Sequence, residues 1–120
     1  MKRDMELVRK ILLALEERDD DSKEFKMEDV DNKTLRYHLK IMEQAGLVDV
    51  DIKPAGDNMF WIYASITWFG HEYLSSIKND NIWSKTKEEL KRRGMELGEV
   101  GIDVVYEYAK YHIKKLLSLD

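Results

Sequence analysis

The chain contains no cysteine, a single proline at position 54 and only six glycines among its 120 residues. Without cysteine there is no disulfide framework, no thiolate nucleophile and no thiolate-bound zinc. Scarce proline leaves long stretches free of helix breakers. No apolar run, Ile11–Leu15 for example, approaches the ~20 residues that span a bilayer. Met1-Lys2-Arg3 could open a signal peptide, but Asp4, Glu6, Arg9 and Lys10 interrupt the apolar region that should follow, so a cytoplasmic protein is expected. Neither sign of charge is in large excess. The chain has 20 Lys+Arg against 24 Asp+Glu, a net charge of −4. That argues against indiscriminate coating of nucleic acid but leaves room for a local basic face. Gly94, Gly98 and Gly101 lack the strand context of a phosphate-binding loop. What is present is ample apolar matter: 43% apolar residues, with three Trp, six Tyr and three Phe. The chain is therefore expected to fold as one globular unit rather than to remain disordered.

The opening stretch reads as an amphipathic helix. Asp4 is placed to cap it, and Met5, Val8, Ile11, Leu12 and Leu15 recur at three- and four-residue steps. Arg9, Lys10, Glu16, Glu17 and Arg18 are assigned to the watered side, and the helix should end near Arg18. Asp19-Asp20-Asp21-Ser22 reads as an exposed loop. Phe25 and Met27 alternate with charges, which suits a short strand, with a short helix over 27–30 as the alternative. Asp31 or Asn32 should cap a helix over 33–45 with Leu35, Leu39 and Met42 inside, and Gly46 should stop it. Val48, Val50 and Ile52 alternate with Asp49, Asp51 and Lys53. Phe60, Ile62, Ala64 and Ile66 alternate with Trp61, Tyr63 and Ser65. Joined by a turn cluster at 54–58, these make a β-hairpin. Thr67 should cap a helix over about 68–79. Trp83 falls in the connection after it, and Ser84 or Thr86 opens a helix to about Arg93, Thr86 and Glu89 having capping-box spacing. The last helix should run from about Glu99 to Leu119, with an apolar stripe from Val100 through Val105, Ala109 and Ile113 to Leu117.

The order helix, short element, helix, glycine, strand, turn, strand is that of a winged helix, in which 33–45 would be the recognition helix and 47–66 the wing. The phrases Ala45-Gly46-Leu47-Val48 and Thr67-Trp68-Phe69-Gly70-His71-Glu72-Tyr73-Leu74 resemble the entry to and exit from such a wing. With the opening Met1–Leu12, Tyr37-His38-Leu39 and Ile82-Trp83, they resemble a family of short bacterial and phage proteins, domain of unknown function 2513, over nearly the whole chain. The resemblance implies an α+β, winged-helix-like domain with a C-terminal helical extension and a phage or prophage origin. It implies no activity and no catalytic or binding residues. Residues 1–80 would form the winged-helix-like unit. Residues 81–120 would pack on it or mediate a homodimer through the C-terminal helix. The interval between Asp21 and Lys33 leaves little room for a full second helix.

Two functional expectations follow. Lys33, Arg36, Tyr37 and Lys40 lie on one face of the 33–45 helix, opposite its apolar stripe, where they could meet the phosphates or base edges of double-stranded DNA. Against this, residues 19–31 hold seven acids and two lysines, and the wing carries Asp49, Asp51 and Asp57 against Lys53. The other expectation is a docking module for a host protein, using Trp61 and Tyr63 on the outer strand face. The long stripe of the last helix, however, favours burial of that face. An enzyme is the least expected class. The three histidines, His38, His71 and His112, show no metal-ligand spacing, and the methionines are spread as core filler. No cofactor, metal or membrane is expected.

Overall fold

A computed structural model describes residues 1–118. The chain is α+β: α1 (Met5–Glu17), α2 (Asn32–Gln44), β1 (Val48–Gly56), β2 (Met59–Ile66), α3 (Trp68–Ile77), α4 (Asp80–Arg92), a 3-10 turn (Leu97–Glu99) and α5 (Ile102–Leu116). β1 and β2 form an antiparallel hairpin running from Val48 opposite Ile66 to Gly56 opposite Met59. Among the described residues, no helix is long and apolar enough to cross a membrane.

Helix α1 is the hub. The Asp4 carboxylate accepts the Leu7 N–H, satisfying a donor that the first helical turn leaves orphaned. Its apolar stripe, Met5, Val8, Ile11, Leu12 and Leu15, is buried as the spacing predicts. Around it close α2, β2 and α3, contributing Leu35, Leu39 and Met42, then Ile62 and Ala64, then Tyr73, Leu74 and Ile77 to one continuous core. Arg9, expected in water, is instead tucked in. Its guanidinium donates to the Ile77 and Lys78 carbonyls and pairs with Asp80 at 2.7 Å. The last turn of α3 leaves carbonyls without helical partners, and a long cation in reach satisfies them.

At the hairpin, the expected five-residue turn is shorter. β1 continues to Gly56 and only Asp57-Asn58 turn, both with positive φ (49° and 60°). A two-residue turn of this hand matches strand twist, and Asp and Asn tolerate the left-handed region. Pro54 is accommodated inside β1 at an irregularity in the register, on an edge strand. There its missing N–H breaks no essential ladder.

Three other expectations give way to tertiary contacts. Phe25–Met27 is not a strand, nor is 27–30 a helix: the segment is extended, then turns. Buried Phe25 makes one backbone bond to β2, its N–H donating to the Ile62 carbonyl at 2.7 Å. The chain then turns toward the Asp31 cap before a ladder can form. Helix α4 opens at Asp80, four to six residues early. The Asn79 side chain accepts the N–H groups of Asn81 and Ile82, so Trp83 lies inside the helix. Thr86 is no cap; it is fully buried, its hydroxyl donating to the Ile82 carbonyl. Finally, α5 begins at Ile102 after the 3-10 turn. It packs on α4 and α3 through Val105 and Ala109, while Val104, Leu116 and Leu117 remain exposed. Leu119, its expected end, lies outside the described residues.

The Trp83 contact carries a testable charge cluster. The indole N–H of Trp83 donates to both oxygens of Glu6 (3.2 and 3.0 Å), and Lys87 reaches the same carboxylate at 2.6 Å. Partial burial acts to raise the Glu6 pKa. The bonds from Lys87 and Trp83, with the charges of Lys87 and Arg9, outweigh it and hold the carboxyl below its ordinary value of 4.5. A carboxyl lowered in the folded state stabilises above its unfolded pKa and loses that contribution as pH falls through the folded one. Thermal melts between pH 6 and about pH 3 should therefore show a steeper acid loss for the wild type than for Glu6→Gln. Parallel curves would show that this cluster contributes nothing.

Candidate nucleic-acid interface

Helix α2 begins where Asp31 accepts the Thr34 N–H at 2.8 Å and the Thr34 hydroxyl at 3.0 Å. Those two bonds hold the Asp31 carboxyl below the usual range. The helix ends where Gly46 takes φ +78°, a conformation that side chains resist. Its inner face is fixed by Leu35, Leu39 and Met42 and by His38, which is 1% exposed. His38 Nε2 accepts the backbone N–H of Asp4 at 2.9 Å, which leaves Nδ1–H to donate to the Thr34 carbonyl at 2.9 Å. That assignment makes the ring a neutral brace between α2 and the start of α1, the structural role its position suggests.

The outer face carries the four residues singled out from the sequence, in two environments. Lys33 and Lys40 are exposed. Arg36 is half-buried. Its guanidinium lies 4.0 Å from the centroid of the Phe60 ring of β2, and its Nε has no partner among the described residues. Tyr37 is also half-buried, its hydroxyl donating to the Met1 carbonyl at 2.9 Å. Thus Arg36 joins the helix to the hairpin, and Tyr37 joins it to the N-terminus.

The charge pattern is specific. Among the described residues, Lys33, Arg36 and Lys40 pair with no carboxylate, although most salt bridges elsewhere use an acid within easy reach. The acids nearest in sequence are already committed: Asp31 to Thr34, and Glu43 to the outward N–H of Val50 at 2.9 Å. Three cations therefore share one helix face without an ion-pair partner among the described residues, although the Asp31 charge still acts on Lys33. The hairpin beside them is different. Asp49, Asp51 and Asp57 are exposed, and Lys53 pairs with Asp51 at 3.6 Å while lying 5.6 Å from the Tyr63 ring centroid.

The outer strand face is not roofed by the last helix, contrary to the expectation from its apolar stripe. α5 spends its buried residues on α4 and α3, and Trp61 keeps 47% of its surface exposed; Tyr63 is half-buried. His71 is exposed, and His112 is half-buried with an unpartnered Nε2. Burial, reinforced by Lys85 and Arg92 and opposed by Glu89, lowers the His112 pKa. Among the described residues no group of three or more potential metal-ligating side chains gathers. Sequence reasoning missed the Arg36–Phe60 stack, for which the only local signal was an arginine on a helix facing an aromatic-rich hairpin.

The fold and this surface define a small α+β domain with a cationic helix beside an acidic hairpin. A family model described as hypothetical protein, DUF2513, matches residues 2–96, and the chain belongs to that family. It is also 31% identical over 121 residues to an uncharacterized protein of Haemophilus influenzae, covering 98% of this chain and all of that one. No solved structure matches.

Proposed function

We propose that the chain is a winged-helix-like, non-enzymatic DNA-binding protein of the cytoplasm, a regulator or accessory factor of phage or prophage type, with α2 as its DNA-contacting helix. One observation carries the reading: Lys33, Arg36 and Lys40 stand on the outer face of α2 without carboxylate partners while Asp31 and Glu43 are engaged by the backbone. Cations without an ion-pair partner, on a helix flanked by a hairpin, are free to contact phosphates. The acidic hairpin tip restricts contact to the helix and its immediate flank, which limits the number of phosphates engaged. The exposed end of α5, with Tyr111, Leu116 and Leu117, suits a second copy, and light scattering tests it.

Fluorescence anisotropy with mixed-sequence duplex at about 50 mM salt should show binding that weakens steeply as salt rises, since each phosphate contact releases counterions. Lys33→Ala with Lys40→Ala, both exposed, should reduce both affinity and salt slope, and adding Arg36→Ala should abolish binding. Absent binding at low salt, or binding indifferent to the double change, overturns the reading.

A second reading has its own observation. Trp61 is about half exposed beside Tyr63 on a face no helix covers, a surface suited to anchoring a host protein. A host partner captured by the wild type and lost with Trp61→Ala, together with no DNA binding, would favour it.

A further inference from the structure

A cleft of about 460 Å³ opens between the first turns of α1, the second half of α2 and the 98–102 segment. Its walls are mostly apolar, with Val8, Ile41, Leu47 and Ile102 among them, and Arg3, Tyr37 and Gln44 supply the polar part. Volume and lining fall in the range of small-molecule sites, which pair apolar walls with a few placed polar groups.

The charge at this cleft is lopsided. Arg3 is the one charged side chain among the lining residues, and it makes no salt bridge among the described residues. Its Nη2 donates to the carbonyls of Gly98 and Val100, each at 3.0 Å, which clips the 98–100 segment over the start of α1. Those two bonds use only Nη2. The Nε–H and the Nη1 hydrogens remain, each able to give a carboxylate oxygen a single charge-assisted bond, while the bidentate edges, which both need Nη2, are spent on the two carbonyls. Tyr37, whose hydroxyl is already spent on Met1, closes the side next to Arg3 and contributes an aromatic edge rather than a competing donor. In a protein of net charge −4, a lone cation held at an apolar cleft selects for anions that carry an apolar body.

We propose that this cleft binds a small organic monocarboxylate, with its apolar body against Ile41, Ala45 and Ile102 and its carboxylate on Arg3. The site lies beyond the DNA reading and does not depend on it: it shares Tyr37 with the outer face of α2 but none of that face's cations, and it can be titrated without nucleic acid.

Octanoate is a suitable probe, with octanol as its uncharged counterpart, each titrated into the full chain at neutral pH and followed by amide shifts in two-dimensional NMR. Octanoate should saturate one site with a dissociation constant of about 1 mM or tighter, the scale a ligand of this size reaches. Shifts should cluster at Val8, Ile41, Leu47 and Ile102. Octanol should bind at least about tenfold more weakly, the factor a single charge-assisted contact supplies. Ala45→Phe fills the cleft from an exposed position of its lining, so folding is not at risk, and it should remove the octanoate response. Equal binding of the two probes, no saturation by octanoate, shifts gathered elsewhere, or an undiminished response in Ala45→Phe would each overturn the proposal. The wild-type comparison of the two probes reads the role of charge without disturbing the clip that Arg3 makes.

Discussion

Replacing Gly70 with alanine should destabilise the protein by about 3 kcal/mol or more, at the upper end of what overpacking costs. Ordinarily glycine-to-alanine inside a helix helps by about 1 kcal/mol. Here the new Cβ would stand 2.1 Å from the Leu47 carbonyl oxygen and 2.6 Å from Cγ2 of Ile66. The first contact is with backbone, and that backbone is not free to retreat. The Leu47 carbonyl accepts the Thr67 N–H at 3.1 Å, and the Thr67 hydroxyl donates to the Gly46 carbonyl. Thr67 also caps α3 by accepting the Gly70 N–H. The start of α3 is thus stitched to the point where the chain leaves α2, and the absent side chain at position 70 is what lets the two backbones meet. A thermal melt should fall by roughly 10 °C or more, while Glu72→Ala, exposed two residues later, should change little. A Gly70→Ala protein as stable as the wild type would mean that the junction relaxes freely.

The second large effect is expected at Trp83. Its ring is 3% exposed, with the Arg9 guanidinium and the Lys87 ammonium each 5.5 Å from its centroid and Glu6 taking its N–H. Trp83→Ala removes apolar contact, leaves a cavity and strips a donor from a carboxylate, at a cost of about 3–5 kcal/mol. Trp83→Phe keeps most of the bulk and should cost about 1–2 kcal/mol. The same variant has an optical signature. It leaves only Trp61 and Trp68, which are 47% and 81% exposed, so the folded-state emission should move to the red. A loss in Trp83→Ala below about 1 kcal/mol, the scale of a surface change, would show that α4 is held mainly by other contacts.

These two sites also mark where local reading succeeds and where it stops. Thr67 as cap, Asp4 before α1 and Gly46 after α2 were all legible, because each acts within four residues of itself or needs only the conformational freedom of glycine. Trp83 was not. Thr86 and Glu89 have the spacing of a capping box, which competes with the local cap that Asn79 supplies to Asn81 and Ile82. The burial of Trp83 against a carboxylate 77 positions away in α1 leaves no local mark. The Phe25–Met27 alternation misled for the complementary reason: the pattern is strand-like, but only one bond to β2 forms before the chain must reach Asp31. At the candidate interface the helix and its outward face were readable from the period. That Arg36 leans on Phe60 was not, since helix and hairpin meet only through the fold.

The position of α1 has a temporal consequence. The hairpin closes through residues adjacent in the chain and a two-residue turn, so it can form within microseconds of being made. Helix α1 is synthesised before its partners, since its stripe is covered by Ile62, Tyr73, Leu74 and Ile77, and its flank by Trp83. At about 5–20 residues per second, those partners leave the ribosome some seconds after α1 does. Throughout that interval only α2 and then the hairpin can cover part of the Ile11, Leu12 and Leu15 stripe, and the core closes once α3 has emerged.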